Sequence, residues 1–195
     1  KFNYAKLSAE LGYQDVALTE LQRFLTEYAS SPYAGEAKEL LVTVLANSNN
    51  YKDALALFES FKNPSENTRK QYARILYGRT TELVNDGQLL GANELLDKAL
   101  KDPYNAPVLP YINFWKGEIS YRLNKVDDAI RYYFDYLKTP VSNGEVSAVN
   151  AKYNLGYCFI KRENYKQALS FFEQVATAPK INSPALEQDA YLRMA

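Results

Sequence analysis

The chain has 195 residues, 47% of them hydrophobic and 24% charged, so it can bury a core and is not a disordered tail. Lys plus Arg and Asp plus Glu both number 23, which removes any overall pull toward phosphate backbones or anionic lipid and argues against a nucleic-acid partner. A single cysteine, Cys158, excludes an internal disulfide, and the longest largely apolar run, from Leu40 to Ala46, is far short of the roughly 20 residues that span a bilayer.

Taken in order, the elements repeat. In residues 1–32 a small residue, Ala5, precedes the polar break Gly12-Tyr-Gln-Asp, after which Ala17, Leu21 and Phe24 fall on one helical stripe. Residues 33–66 repeat the scheme with Val42, the break Asn47-Ser-Asn-Asn, then Ala54, Phe58 and Phe61, ending on Pro64. Residues 67–105 do so with Thr80, Asn85-Asp-Gly, Ala92 and Leu96, ending on Pro103. In residues 106–144 the set is Gly117, Asn124-Lys, Ala129, Tyr133 and Tyr136, closed by Pro140. In residues 145–181 it is Gly156, Arg162-Glu-Asn, Ala168 and Phe172, closed by Pro179.

The alanines at 17, 54, 92, 129 and 168 recur at spacings of 37, 38, 37 and 39 residues. Each unit therefore reads as helix, turn, helix: polar and glycine residues turn the chain, the two small residues let antiparallel helices approach, and proline resets its direction. The extra length of the period is expected either as about one added turn of helix or in the inter-unit loops, and stretches such as Tyr104–Pro110 and Val141–Glu145 favour the loops. Residues 182–195 read as the start of a sixth unit. The chain opens on Lys1 with no leader after it, so residues upstream are expected, and apolar ends of such a piece would favour a homodimer.

The last complete unit, with Leu155-Gly156, Phe159, Ala168, Phe172 and Pro179, resembles the tetratricopeptide repeat. The resemblance spans essentially the whole chain, in a bacterial type with repeats longer than the usual length of about 34 residues, and with Lys152 where tryptophan is frequent. It implies an all-α, right-handed superhelical solenoid of antiparallel helix hairpins covering 1–195. The segments Ser31-Pro-Tyr-Ala-Gly-Glu-Ala and Ser183-Pro-Ala-Leu-Glu-Gln-Asp-Ala also resemble junctions of bacterial envelope-associated tetratricopeptide proteins, which places a bacterial periplasmic location ahead of a cytoplasmic one.

The resemblance implies a non-catalytic protein-binding scaffold whose concave face, lined by first helices, holds a protein or peptide partner. Carried onto this chain, that face comprises Arg74, Tyr77, Thr81 and Asn85, then Tyr111, Phe114, Glu118, Tyr121 and Arg122, then Asn150, Tyr153, Tyr157 and Lys161. Tyrosine suits such a surface because it offers contact area and a hydroxyl with few rotatable bonds. At helical spacing the alternative is core packing, favoured for Tyr133, Tyr136, Phe171 and Phe172 and left open for Tyr77, Tyr121, Tyr153 and Tyr157. Phe2, Lys6, Glu39 and Leu40 stand where some relatives clamp a terminal carboxylate, which disfavours a chaperone-tail clamp. The alternative function is a spacer or regulatory arm of a larger enzyme, receptor or envelope-assembly protein.

No residue set suggests catalysis. There is no histidine, and the eight glycines form no phosphate loop, so no cofactor or metal is expected. Asp127 and Asp128 fit a helix start, where the dipole favours negative charge. Cys158 fits a small core residue, and Arg69, Lys70 and Arg74 a solvated cationic face.

Overall fold

The computed structural model describes residues 1–178 and 184–194; Pro179, Ser183 and Ala195 lie outside the described residues. The described residues form twelve helical segments. They divide into two compact units, Lys1–Ala106 and Pro107–Ala195. The first holds α1 (Phe2–Glu10), α2 (Gln14–Glu27), α3 (Ala34–Asn47), α4 (Tyr51–Glu59), α5 (Glu66–Arg69), α6 (Tyr72–Asn85) and α7 (Leu89–Lys101). The second holds α8 (Leu109–Arg122), α9 (Val126–Lys138), α10 (Ala148–Lys161), α11 (Tyr165–Ala176) and α12 (Pro184–Met194). Within each unit consecutive helices pack as antiparallel hairpins, giving an all-α tetratricopeptide-like solenoid architecture.

All five hairpin turns are built alike. Five residues before each repeat alanine stands a residue in the left-handed region: Gly12 (φ 83°), Asn49 (56°), Gly87 (74°), Asn124 (60°) and Glu163 (56°). The next amide in each turn reaches back five residues: Tyr13 N to Ser8 O at 2.8 Å, Asn50 N to Leu45 O at 2.9 Å, Gln88 N to Leu83 O at 2.8 Å, Lys125 N to Ser120 O at 2.8 Å, and Asn164 N to Phe159 O at 2.9 Å. This is the Schellman closure, which satisfies carbonyls a helix end leaves unpaired. Glycine and asparagine tolerate the geometry; Glu163 adopts it at a steric cost. Asn50 and Asn164 then cap the second helix by accepting from the amides of Asp53 (3.4 Å) and Gln167 (3.2 Å).

The repeated small residues lie where the helices touch. Ala17, Ala54, Ala92 and Ala129 are fully buried, Ala168 nearly so, and Ala5, Val42 and Thr80 face them from the first helices, also fully buried. In unit 2 the first-helix position is glycine, and the large residue four after the alanine sits on it. A Cβ on Gly117 would come within 2.8 Å of the Tyr133 ring, and one on Gly156 within 2.7 Å of Phe172. Tyr133, Tyr136, Phe171 and Phe172 are all core. Cys158 is also in this core, and burial pushes its thiol up to about 12, so it is a packing residue.

The junctions between hairpins carry the extra sequence. In unit 1 the extra length takes the form of an added turn of helix, α5, and Glu39 of α3 holds it. Its carboxylate accepts from Ser65 N (2.8 Å), Thr68 Oγ1 (2.8 Å) and the Ser65 hydroxyl. Burial alone would raise this acid, but the three hydrogen bonds outweigh it and hold it below the usual carboxylate range. In unit 2 the α9–α10 connection is pinned by the Tyr136 hydroxyl, which donates to Val141 O, and by paired bonds between Asn143 and Val146. Val146 is buried in the core.

Candidate functional site

The first helices of unit 2, α8 and α10, together with α12, enclose a cleft of about 260 Å³. Five residues expected from the sequence line it: Phe114, Glu118, Arg122, Asn150 and Tyr153. Trp115, Glu145, Asn154 and Leu186 complete it and were not foreseen. Phe114 supplies floor and not open surface: it is only 3% exposed, edge-on to Tyr133 and Tyr136 at 5.8 and 5.3 Å. Trp115 meets Phe114 edge to face at 5.9 Å, and its indole N–H is buried with no acceptor among the described residues.

Glu118 organises the polar side. One carboxylate oxygen accepts from Arg122 Nε at 2.7 Å; the other accepts from the Tyr133 hydroxyl at 3.0 Å and Asn154 Nδ2 at 3.1 Å. Asn154 Nδ2 also donates to the Tyr133 oxygen at 2.8 Å. Burial first, and the Glu118 charge second, push the Tyr133 phenol well above its ordinary value, so it stays a neutral donor. Arg122 keeps an exposed guanidinium face while its Nε is fixed. Asn150 is held at the start of α10 by Ser147, whose hydroxyl oxygen accepts its amide at 3.1 Å, and its Nδ2 donates to Glu145 O at 2.6 Å.

Tyr153 and Tyr157 are half-buried and already engaged. Both hydroxyls donate to Asp189 Oδ2 of α12, at 2.8 and 2.5 Å, and Arg193 Nε donates to the Tyr157 oxygen at 2.9 Å. Their rings stand 5.0 Å apart and edge-on to Phe172. The hydrogen bonds from Tyr157 and then Tyr153, with Arg193 nearby, hold the Asp189 carboxyl below the usual aspartate value. These two tyrosines therefore seat the next helix, while Tyr153 also contributes to the cleft wall. Asp189 lies 32 and 36 residues away in sequence, so no local pattern links it to them.

Elsewhere in unit 2, Tyr121 is half-buried under Lys161, whose ammonium lies 4.1 Å from the ring centre, and Tyr111 is half-buried. In unit 1 the residues expected on α6 are placed differently from one another. Arg74 is exposed, with both terminal nitrogens donating to Asn47 Oδ1 at 3.2 Å; Thr81 is half-buried and returns its hydroxyl to Gly78 O at 2.7 Å. Tyr77 is half-buried, and Asn85 is exposed at the helix end.

The unit 2 cleft combines aromatic walls with fixed amides and one charged pair. Among the described residues, no group of three candidate ligands is placed to hold a metal ion, and no helix is long and apolar enough to cross a membrane. Paired helices that repeat along the chain define the class: an α-helical repeat protein of the kind that serves as an interaction scaffold.

Comparison with known families specifies it further. Two tetratricopeptide repeat profiles match, over residues 77–145 and 152–184, and the chain belongs to the tetratricopeptide repeat family. Among solved structures it is similar to YrrB, described as a tetratricopeptide protein with an unusual peptide-binding site (TM-score 0.64, 20% identity, covering 98% of this chain and 90% of that one). It is also similar to MamA from Desulfovibrio magneticus RS-1 (0.55, 17%, 89% and 89%) and to BtubC from P. vanneervenii (0.57, 16%, 96% and 81%). No curated protein matches the sequence.

Proposed function

We propose that this chain is a non-catalytic scaffold that holds an extended segment of a partner protein on the concave, first-helix face, with the cleft of α8, α10 and α12 as its principal seat. The observation that carries this reading is the convergence of Glu118, Arg122, Asn150 and Tyr153 with Trp115 around one opening. Arg122 offers a guanidinium whose position Glu118 fixes, and the asparagines offer side-chain amides that match a peptide backbone. Aromatic walls supply buried area at low entropic cost. The peptide-binding site named for the similar structure YrrB accords with this use of the fold.

The test uses the single tryptophan of the chain, Trp115, as a reporter. Peptides selected from a displayed random library on the intact chain are expected to change its emission on binding. Arg122→Glu should weaken those peptides about tenfold or more and cost on the order of 1 kcal/mol of stability, because it also breaks the ion pair with Glu118 and sets a second carboxylate beside it. Peptides that bind with unchanged Trp115 emission and full affinity for Arg122→Glu would place the partner site elsewhere.

A further inference from the structure

Unit 1 carries a second cleft, of about 290 Å³, on a different part of the repeat. It is built from the end of the second helix α4, the short α5, the first residue of α6 and the segment that follows α7, and it shares no residue with the cleft described above. Its base is a pair of stacked rings: Phe58 and Tyr72 lie 4.4 Å apart and within 10° of parallel. Tyr104 and the two unit-closing prolines, Pro64 and Pro103, supply further apolar wall.

The sequence explains why a ring is available there. Phe58 is the large residue four after a repeat alanine, the position that in unit 2 sinks onto glycine. Its first-helix counterpart is Val42, fully buried, and Phe58 stays half-buried and turns toward Tyr72. The walls are also held in place. The Tyr72 hydroxyl donates to Glu59 at 3.1 Å, the same oxygen takes Lys98 at 3.1 Å, and Asp102 accepts the Tyr104 amide at 2.7 Å.

The charges choose the ligand. Lys98 is committed to Glu59, and Lys70 beside the cleft is committed to Glu66 at 2.8 Å. Arg69, exposed on the cleft wall, makes no side-chain hydrogen bond or ion pair among the described residues. Glu66, three residues before Arg69, feels its charge but is hydrogen-bonded to Lys70, and Asp102, the other charge on the lining, accepts the Tyr104 amide. A planar guanidinium with no hydrogen-bonded partner, next to stacked rings, matches a carboxylate presented beside an aromatic side chain. We propose that this cleft is a docking site for an acidic, aromatic-bearing peptide segment of a partner protein, whose ring packs against Phe58, Tyr72 and Pro103 while its Asp or Glu caps Arg69.

The probe is a displayed random-peptide library selected on the intact chain and, in parallel, on Arg69→Glu. Arg69 is exposed and makes no side-chain hydrogen bond among the described residues, so the variant is expected to fold as the parent does. The wild-type selection should enrich sequences with Asp or Glu within about three residues of Phe, Tyr or Trp. A fluorescein-labelled example should lose about tenfold or more in affinity on Arg69→Glu and on Tyr104→Ala, bind more weakly as salt rises, and leave Trp115 emission unchanged. Selection of no acidic-aromatic sequences, equal affinity for Arg69→Glu, or a preference for basic peptides would overturn the proposal. Binding that shifts Trp115 emission assigns those peptides to the other cleft and also overturns it; a failure of the Trp115 cleft to bind any peptide leaves this site standing.

Discussion

The two units solve the same packing problem with different volumes. In unit 1 the first helix contributes Ala5 or Thr80 and the second answers with a leucine, Leu21 or Leu96; in unit 2 it contributes Gly117 or Gly156 and receives Tyr133 or Phe172. Each hairpin fills its gap by giving the larger side chain to the helix that faces the smaller one, as close-packed interiors require. The Val42 and Phe58 hairpin pairs two sizeable residues, and there the ring is only half-buried and lines a cleft. The contrast teaches that an exposed aromatic in this fold follows from what stands opposite it, not from its own position in the repeat.

The sharpest way to break this comparison is to add a methyl group. Gly156→Ala or Gly117→Ala should destabilise unit 2 by about 1–3 kcal/mol despite better helix propensity, because the new Cβ meets a confined ring. Gly91→Ala in unit 1, where the nearest side-chain atom would be 3.6 Å away, should instead be neutral or stabilise by about 0.5 kcal/mol. Urea denaturation of the three variants checks both signs, and a neutral Gly156→Ala would contradict the volume account.

The next effect concerns the polar half of the knob. Unlike the leucines of unit 1, Tyr133 carries a hydroxyl that joins Glu118 and Asn154. Tyr133→Phe should cost about 1–2 kcal/mol by thermal melting and weaken peptide binding at the cleft through loosened positioning of Glu118 and Arg122. Leu96→Met in unit 1, with no such network, should cost less than about 1.5 kcal/mol and leave that binding unchanged.

A smaller and more local effect is expected with acid. The Asp189 carboxyl is held below its unfolded-state value of about 3.9, so its contribution to seating α12 is present above that pH and is lost as pH falls through the lower folded-state value. Amide chemical shifts of α12 followed from pH 6 to pH 2 should move together below about pH 4. Asp189→Asn should remove that transition while leaving shifts in α8 and α9 in place. The smallest effect belongs to the turns. Glu163→Gly should stabilise by about 0.5–1 kcal/mol by relieving the left-handed backbone, whereas Gly12→Glu at the equivalent turn of unit 1 should destabilise by a similar amount.

Much of the fold was legible because its causes are local. Alanine with a large residue four later, a polar break before it and proline after it are each read within one helix or turn, and four of the five left-handed residues announce themselves as glycine or asparagine. Glu163 does not, because there the repeat's geometry overrides the residue's own preference. An added turn was one of the two forms the long period allowed, but its place at α5 was not legible for the same kind of reason: it depends on Glu39, 26 residues upstream of Ser65. The site was half legible. Counting along α8 and α10 finds Glu118, Arg122, Asn150 and Tyr153, but helical counting alone cannot tell that Phe114 turns beneath two rings or that Asp189 claims the hydroxyls of Tyr153 and Tyr157. Trp115 was within reach, as the only tryptophan and the neighbour of a residue already singled out; Leu186 and Asn154 carried no comparable signal.

The five identical turns have a consequence for how the chain reaches this structure. Each closes over five residues, and the hairpin contacts it sets up join segments adjacent in sequence, so the loop entropy to be overcome is small at every step. Such a chain can begin folding at any turn and extend from there, and a whole hairpin inserted between two closing prolines should be accommodated by its neighbours, which makes the array lengthenable by recombination without redesign of its core.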